Sequence, residues 1–405
     1  MAVALNPAAQ LTPINGIRLS AAAAAIRYQN RTDLALIEIA RGAKVAAVFT
    51  RNAFCAAPVT VARRHLIRRT PQYLLVNAGN ANAGMGEMGV EDALSCCQAL
   101  AGHTGCSAEE VLPFSTGVIG QRLSVDKIID ALPTAVVRLD TNAWLIAAAA
   151  MMTTDTVAKG ASRKVIIDGK PIAITGIAKG AGMIRPDMAT MLAFIATDVN
   201  MSQTLLKDLL YEAVEESFNR ITVDGDTSTN DACVLIATGK SNVSIKSNSG
   251  EAHARFQSVL TEVMIDLAQA IVRDGEGATK FITVDVRGAA SSEEARQTAF
   301  TVAHSPLVKT AFFASDPNWG RILAAVGRAG IERLAIDRIE IFLDEVCVAR
   351  RGAVAGDYTE AASRRAMTKP EITIGIDLHR GAHSFHVWCS DLSYEYVHIN
   401  AAYQN

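Results

Sequence analysis

The chain has 405 residues with 39 basic and 41 acidic side chains, a net charge of −2, and half of its residues hydrophobic. That balance supports a large buried core and excludes disorder, and it gives no basic surface for nucleic acid or membrane lipid, so small-molecule substrates are expected. Seven scattered cysteines without a CxxC pair point to reduced thiols in a cytoplasmic protein.

Taken in order, no basic leader with a long apolar core opens the chain, so no signal peptide is expected. Leu34 to Ile39, Val45 to Phe49 and Tyr73 to Val76 read as short strands bounded by turn residues. Glu91 to Leu100, Asp126 to Leu132 and the alanine-rich Asn142 to Met151 read as helices. The longest apolar run, Ala143 to Met152, is far short of the roughly 20 residues a membrane-spanning helix needs. Asp168-Gly169 between Lys164–Ile167 and Ile172–Ile177 predicts a tight hairpin. Met191 to Ala196 is a buried strand, followed by a helix over Gln203 to Phe218 capped by Ser202. Next come a strand at Cys233 to Thr238, a helix over Ala252 to Val272, a strand at Ile282 to Val286, and helices over Ser292 to Ala303 and Asp316 to Val326. The tail is expected to be β: Ile339 to Val348, Glu371 to Asp377, His383 to Cys389 and Tyr394 to Ile399. Irregular alternation of strands and helices predicts an α/β fold, an α+β layered sandwich.

Several constellations carry chemistry or mimic it. Gly84-Met-Gly86-Glu-Met-Gly89 spells GxGxxG but does not directly follow its strand, so a dinucleotide site is rejected in favour of a glycine-rich loop at a cleft. Asp224 to Asp231 lacks the glycine and glutamate of a calcium loop and reads as a polar turn, with support of a nearby functional loop as the alternative. His379, His383 and His386 lack the ligands to complete a metal site, and no metal is expected. Ser115-Thr116-Gly117 reads as a compact turn whose hydroxyl and N–H can point the same way, as an oxyanion requires. Thr190 follows a glycine- and proline-containing loop, Lys179 to Ala189, and opens the buried strand; there a threonine is either a nucleophile or an ordinary strand-initiating residue.

The stretch KGAGMIRPDMATM around Thr190 resembles the self-cleavage segment of the ornithine acetyltransferase family, the bifunctional glutamate N-acetyltransferases and amino-acid acetyltransferases of arginine biosynthesis. Further blocks match in the same order: NAGNANAG from Asn77, STGVIG from Ser115, TTDT from Thr153, VDGDTSTND from Val223, RDGEGATK from Arg273, SDPNWGRI from Ser315 and INAAY from Ile399. The resemblance implies an N-terminal-nucleophile type enzyme that cuts its own Ala189–Thr190 bond. The products would be an α chain, 1–189, and a β chain, 190–405, assembled as a heterotetramer of two α and two β chains. It implies Thr190 as nucleophile, Thr116 and Gly117 as oxyanion hole, and Thr153, Lys179, Thr190, Glu276, Asn400 and Asn405 as substrate-binding residues. The family usually ends in Ser or Thr where this chain has Asn405. The implied reaction moves acetyl from N2-acetyl-L-ornithine to L-glutamate, with no cofactor and with acetyl-CoA as a conceivable second donor. A self-processing amidase or aminopeptidase, and an uncleaved amino-acid-binding protein, are the alternatives.

Overall fold

The computed structural model describes residues 2–6, 9–27, 29–185 and 191–402. Ala189, Thr190 and Asn405 lie outside the described residues. In chain order the elements are β1 (Ile17–Ala22), β2 (Leu34–Ile39), β3 (Lys44–Phe49), α1 (Ala57–Arg68), β4 (Tyr73–Asn80), α2 (Gly86–Thr104), β5 (Val111–Val118), α3 (Val125–Val137), α4 (Trp144–Ala150), β6 (Lys159–Ile167), β7 (Lys170–Lys179), β8 (Leu192–Thr197), β9 (Asn200–Met201), α5 (Gln203–Glu215), β10 (Ile221–Thr222), β11 (Ala232–Ala237), β12 (Ser244–Ile245) and α6 (Glu251–Arg273). There follow β13 (Phe281–Ala289), α7 (Ser292–Ala303), α8 (Pro306–Phe313), α9 (Trp319–Gly327), β14 (Glu340–Leu343), β15 (Val346–Arg350), β16 (Ala353–Val354), α10 (Glu360–Met367), β17 (Glu371–Asp377), β18 (His383–Ser390) and α11 (Tyr394–Ala402).

The described residues form two compact units, one drawn from 6–219 and 226–271, the other from 1–5, 220–225 and 272–403. In the larger unit a four-stranded sheet, β1-β2-β4-β5, faces a five-stranded sheet, β3-β11-β8-β7-β6. Leu19, Ile37, Leu74 and Phe114 of the first meet Val45, Ile177, Phe194 and Val234 of the second in one apolar layer. Phe114 and Phe194 pack edge to face across it, ring centres 5.1 Å apart, the arrangement the ring quadrupoles favour. On the outer face of the four-stranded sheet, Leu36 and Leu75 pack with Cys97 and Leu100 of α2 and Ile128 and Leu132 of α3. Helices α5 and α6 cover the other sheet, and Gly176 in β7 admits the Leu267 side chain of α6 where a methyl group would collide at 2.9 Å. The result is the expected layered α/β sandwich.

Local chemistry explains the elements. Every residue of β8 and β11 is buried, because both lie inside a sheet covered on its two faces and so read as unbroken apolar runs. Asp168 and Gly169 both take positive φ, 50° and 73°, giving the primed turn that matches the twist of β6 and β7. The Ser202 hydroxyl accepts the Leu205 N–H at 3.2 Å and starts α5. In the smaller unit a seven-stranded sheet, β10-β18-β13-β17-β14-β15-β16, carries α7 to α10 through an apolar layer that includes Val284, Ile374, Phe300, Phe312 and Met367.

Five expectations change. Tyr394 to Ile399 is not a strand but most of α11, whose first turn is held by Ser393, its hydroxyl accepting the Tyr396 N–H at 3.3 Å. Ile339 to Val348 is two strands joined by a turn in which Asp344 has φ 51°. The helix expected from Asp316 begins at Trp319, with Asn318 as its cap. Ser115 to Gly117 is not a turn; it is the end of β5, and Gly84 to Gly89 runs into the first turns of α2.

Candidate active site

Strand β5 delivers Ser115, Thr116 and Gly117 in parallel register with Asn77, Ala78 and Gly79 of β4. The approach there is close: a Cβ on Gly117 would stand 2.3 Å from the Gly79 carbonyl carbon, and its φ is 131°, so glycine is required on both counts. The asparagines of the preceding block hold the backbone around this point. Asn77 donates to the Asn80 carbonyl at 2.8 Å, Asn80 accepts the Asn82 N–H at 2.7 Å, and Asn82 donates to the Gly89 carbonyl at 2.8 Å.

Lys179, the last residue of β7, is 4% exposed, and its Nζ donates to Thr116 Oγ1 at 3.1 Å. With that lone pair occupied, the threonine's own hydroxyl hydrogen is left to be donated elsewhere. Register places Lys179 opposite Leu192, the third residue after the expected cleavage bond. Ser115, Thr116, Lys179, Met191, Leu192, Ser228, Asn230 and Asp231 line one small cavity of about 10 Å³, room for a single water.

A buried charge cluster stands behind it. Asp155 pairs with Lys159 at 2.6 Å, both side chains fully buried, and its two oxygens also accept the Gly180 N–H at 2.7 Å and the Thr153 N–H at 3.1 Å. Burial alone would raise the Asp155 carboxyl, but the Lys159 and Lys179 charges and these hydrogen bonds hold it well below the usual carboxylate range. Asp155 thereby ties the Thr153 backbone to the loop that starts at Gly180. The Asp231 carboxyl goes the other way, pushed well above its ordinary value by burial, with the Lys179 charge opposing.

The polar stretch before β11 is a turn, as expected, held partly by its own hydrogen bonds and partly by bonds to Thr50 and Ala81. Thr50 Oγ1 donates to the Ser228 carbonyl at 2.7 Å, Ser228 Oγ accepts the Asn230 N–H at 3.0 Å, and Asn230 Nδ2 donates to the Ala81 carbonyl at 3.0 Å. In the smaller unit, Glu276 is 9% exposed and accepts a 2.8 Å hydrogen bond from Asn400 Nδ2. The helical form of α11 makes this possible by setting Asn400 one turn after Tyr396, whose carbonyl it also meets at 3.0 Å.

The ArgJ family model matches residues 18–405. The chain belongs to the ArgJ family. It is 58% identical over 396 residues to the arginine biosynthesis bifunctional protein ArgJ of Methylococcus capsulatus, covering 98% of this chain and 97% of that one. It is 54% identical over 405 residues to the protein of the same name from Pseudomonas fluorescens, covering all of both chains. A crystal structure of the ArgJ protein of Bacillus halodurans is 39% identical, with a TM-score of 0.49, covering 52% of this chain and 98% of that one.

Of the residues expected at an ArgJ site, the structure brings Thr116 and Lys179 into contact beside Gly117, with Thr153 linked to them through Asp155, and separately joins Glu276 to Asn400. Thr190 and Asn405 fall outside the described residues. Of the ionisable groups in this region, Asp155 belongs to the TTDT block and Asp231 to the polar turn read from the sequence, and Lys159 was not singled out. Asp155 and Lys159 stand four apart, a spacing that in retrospect marks a pair, and Asp231 directly precedes the all-apolar β11. His379, His383 and His386 each engage other groups, and among the described residues no cluster suited to a metal occurs.

Proposed function

We propose that this ArgJ-family chain is a bifunctional acetyltransferase of arginine biosynthesis that moves acetyl from N2-acetyl-L-ornithine to L-glutamate through acetyl-Thr190. The observation that carries the reading is the meeting of Thr116, Lys179 and Met191 at one buried cavity, with Thr190 bonded directly to Met191. A threonine hydroxyl is a weak nucleophile unless a base takes its proton. Cutting Ala189–Thr190 frees an α-amine with an ordinary pKa of about 7.7 to 8.0, and that amine serves as the base. The Thr116 hydroxyl and Gly117 N–H receive the oxyanion of the tetrahedral intermediate, and the Lys179 charge behind Thr116 favours it. Ornithine leaves, and glutamate accepts the acetyl group.

Thr153, Lys179, Glu276, Asn400 and Asn405 bind the amino-acid substrate. A cationic side chain such as Lys179 suits its carboxylate, and a carboxylate such as Glu276 suits its amine. The strand order supports survival of the cut chain as one body: β3, β6 and β7 precede the bond, β8 and β11 follow it, and all five share a sheet. Fragments 1–189 and 190–405 therefore stay hydrogen-bonded together, and two such pairs form the heterotetramer. No cofactor is needed, with acetyl-CoA as a second donor to glutamate. Seven free cysteines fit a cytoplasmic setting, and no helix among the described residues is long and apolar enough to cross a membrane.

The test is initial-rate kinetics with acetyl-ornithine and glutamate both varied. Parallel double-reciprocal lines are expected; acetyl release that ignores glutamate would favour an amidase with water as acceptor.

A further inference from the structure

Glu276, read above as the partner of the substrate amine, is bonded to Asn400 across 124 residues of sequence. It stands in a tight turn after α6, in which the Ala278 N–H donates to the Gly275 carbonyl at 2.9 Å. Gly277 follows it at φ 67°, and a Cβ there would stand 2.4 Å from the Tyr396 nitrogen and 2.6 Å from Ser393 Oγ, so the turn and the start of α11 are in direct contact. Asn400 is carried by α11, a helix of 9 residues with none of them buried. Apolar packing therefore does little to hold that helix, and a helix this short is marginal in water without a cap.

One hydroxyl serves both segments. Ser393 Oγ accepts the Tyr396 N–H at 3.3 Å, which starts α11, and donates to the Gly277 carbonyl at 2.6 Å, which fixes the turn. Asn400 lies two turns along from Ser393, on the same face of the helix. The nearby Asp391, 2% exposed, grips the chain just past the turn: Oδ1 accepts the Thr279 and Lys280 N–H groups at 2.8 and 2.9 Å, and Oδ2 accepts the Thr279 hydroxyl at 2.5 Å. That carboxylate lies near two buried lysines, Lys280 and Lys309, whose ammonium groups donate to backbone carbonyls.

We propose that Ser393 is the positioning residue that sets Glu276 and Asn400 as one unit for the substrate amine. This rests on the reading that Glu276 binds that amine. The 2.8 Å bond from Asn400 Nδ2 occupies one lone pair of the Glu276 carboxylate and orients the remaining ones for an ammonium. Such a contact depends steeply on distance, so a shift on the order of 1 Å in either segment weakens it. Ser393 acts on substrate through Glu276 and Asn400: without its hydroxyl the turn loses its tie and α11 loses its cap, and the two partners are no longer set against each other.

The experiment is Ser393→Ala, made in the wild type and in Glu276→Gln, with KM for glutamate, kcat and the denaturation midpoint measured for each protein. In the wild-type background KM rises by about three- to tenfold with a smaller change in kcat, the scale of one lost hydrogen bond. In the Glu276→Gln background, where KM is already raised, the same substitution adds less than about twofold, because the carboxylate it positions is gone. An equal rise in both backgrounds, or a lowered kcat or midpoint with unchanged KM, marks a purely structural role and overturns the proposal. Glu276→Gln with an unchanged KM overturns the reading of Glu276 and this proposal with it, whereas a raised KM there and an unchanged one in Ser393→Ala overturns this proposal alone. Should the alanine variant not fold, hydrogen–deuterium exchange on the wild type replaces it. Saturating glutamate then slows exchange over 274–280 and 394–402 together; slowing in one segment without the other refutes the coupling.

Discussion

Replacing Asp155 by asparagine tests whether the charge cluster behind the site is built as described. The wild-type carboxylate meets Lys159 at 2.6 Å with both side chains withdrawn from water, and it accepts the Gly180 and Thr153 amides. Asparagine keeps the shape and one acceptor oxygen but leaves the Lys159 ammonium buried without its counter-charge. Removing one member of a fully buried pair costs about 3–5 kcal/mol, chiefly from the charge left stranded. The Asp155→Asn/Lys159→Met double variant removes the stranded ammonium as well and should recover much of the loss. Acid provides a second check. Because the folded-state carboxyl is held below its unfolded value of about 3.9, its contribution is complete above that pH and is lost only as pH falls further, toward the folded value. Chemical denaturation of the three proteins at pH 7 and across mild acid measures both effects. The deficit of the single variant should hold through neutral and weakly acidic pH and shrink below about pH 4. A single variant within about 1 kcal/mol of wild type at pH 7, or a double variant no better than the single, would refute the reasoning.

Three further outcomes follow from the same geometry. Thr116→Ala should lower kcat by about 10²–10³-fold with a smaller change in KM, and a change in KM alone would make Thr116 a binding residue. Gly117→Ala forces a methyl group to 2.3 Å from the Gly79 backbone, so both stability and acetyl transfer should fall; a fully active, stable variant would show that β4 and β5 do not approach as closely as described. Glu276→Gln should raise KM for the amino-acid substrates while cleavage stays intact, and uncut protein from this variant would instead place Glu276 in the processing step.

What was legible in the sequence follows the range of the forces involved. Helices α5 and α6 and the β6–β7 hairpin were readable because apolar periodicity and an Asp-Gly turn are local properties. Helix α11 was not, since Tyr394, Tyr396 and His398 alternate like a strand, and the Ser393 cap that decides the matter also depends on its bond to the Gly277 carbonyl, 116 residues away in sequence. Thr116 and Gly117 could be named from the STGVIG block, yet their place at the end of β5 depends on pairing with β4. The need for glycine at 117 arises from Gly79, which no local pattern reveals. The buried states of Asp155 and Asp231 are tertiary facts: the same residue types in the same local sequence would be unremarkable on a surface.

The central claim is that Thr190 becomes both nucleophile and base once its peptide bond is cut. The measurement closest to it is mass spectrometry of purified protein after mixing with acetyl-ornithine in the absence of glutamate. The account predicts two chains, 1–189 and 190–405, with a single acetyl group on the second, located at residue 190 and removed when glutamate is added. An active full-length chain, or a 190–405 fragment that turns over substrate without ever carrying acetyl, would contradict it.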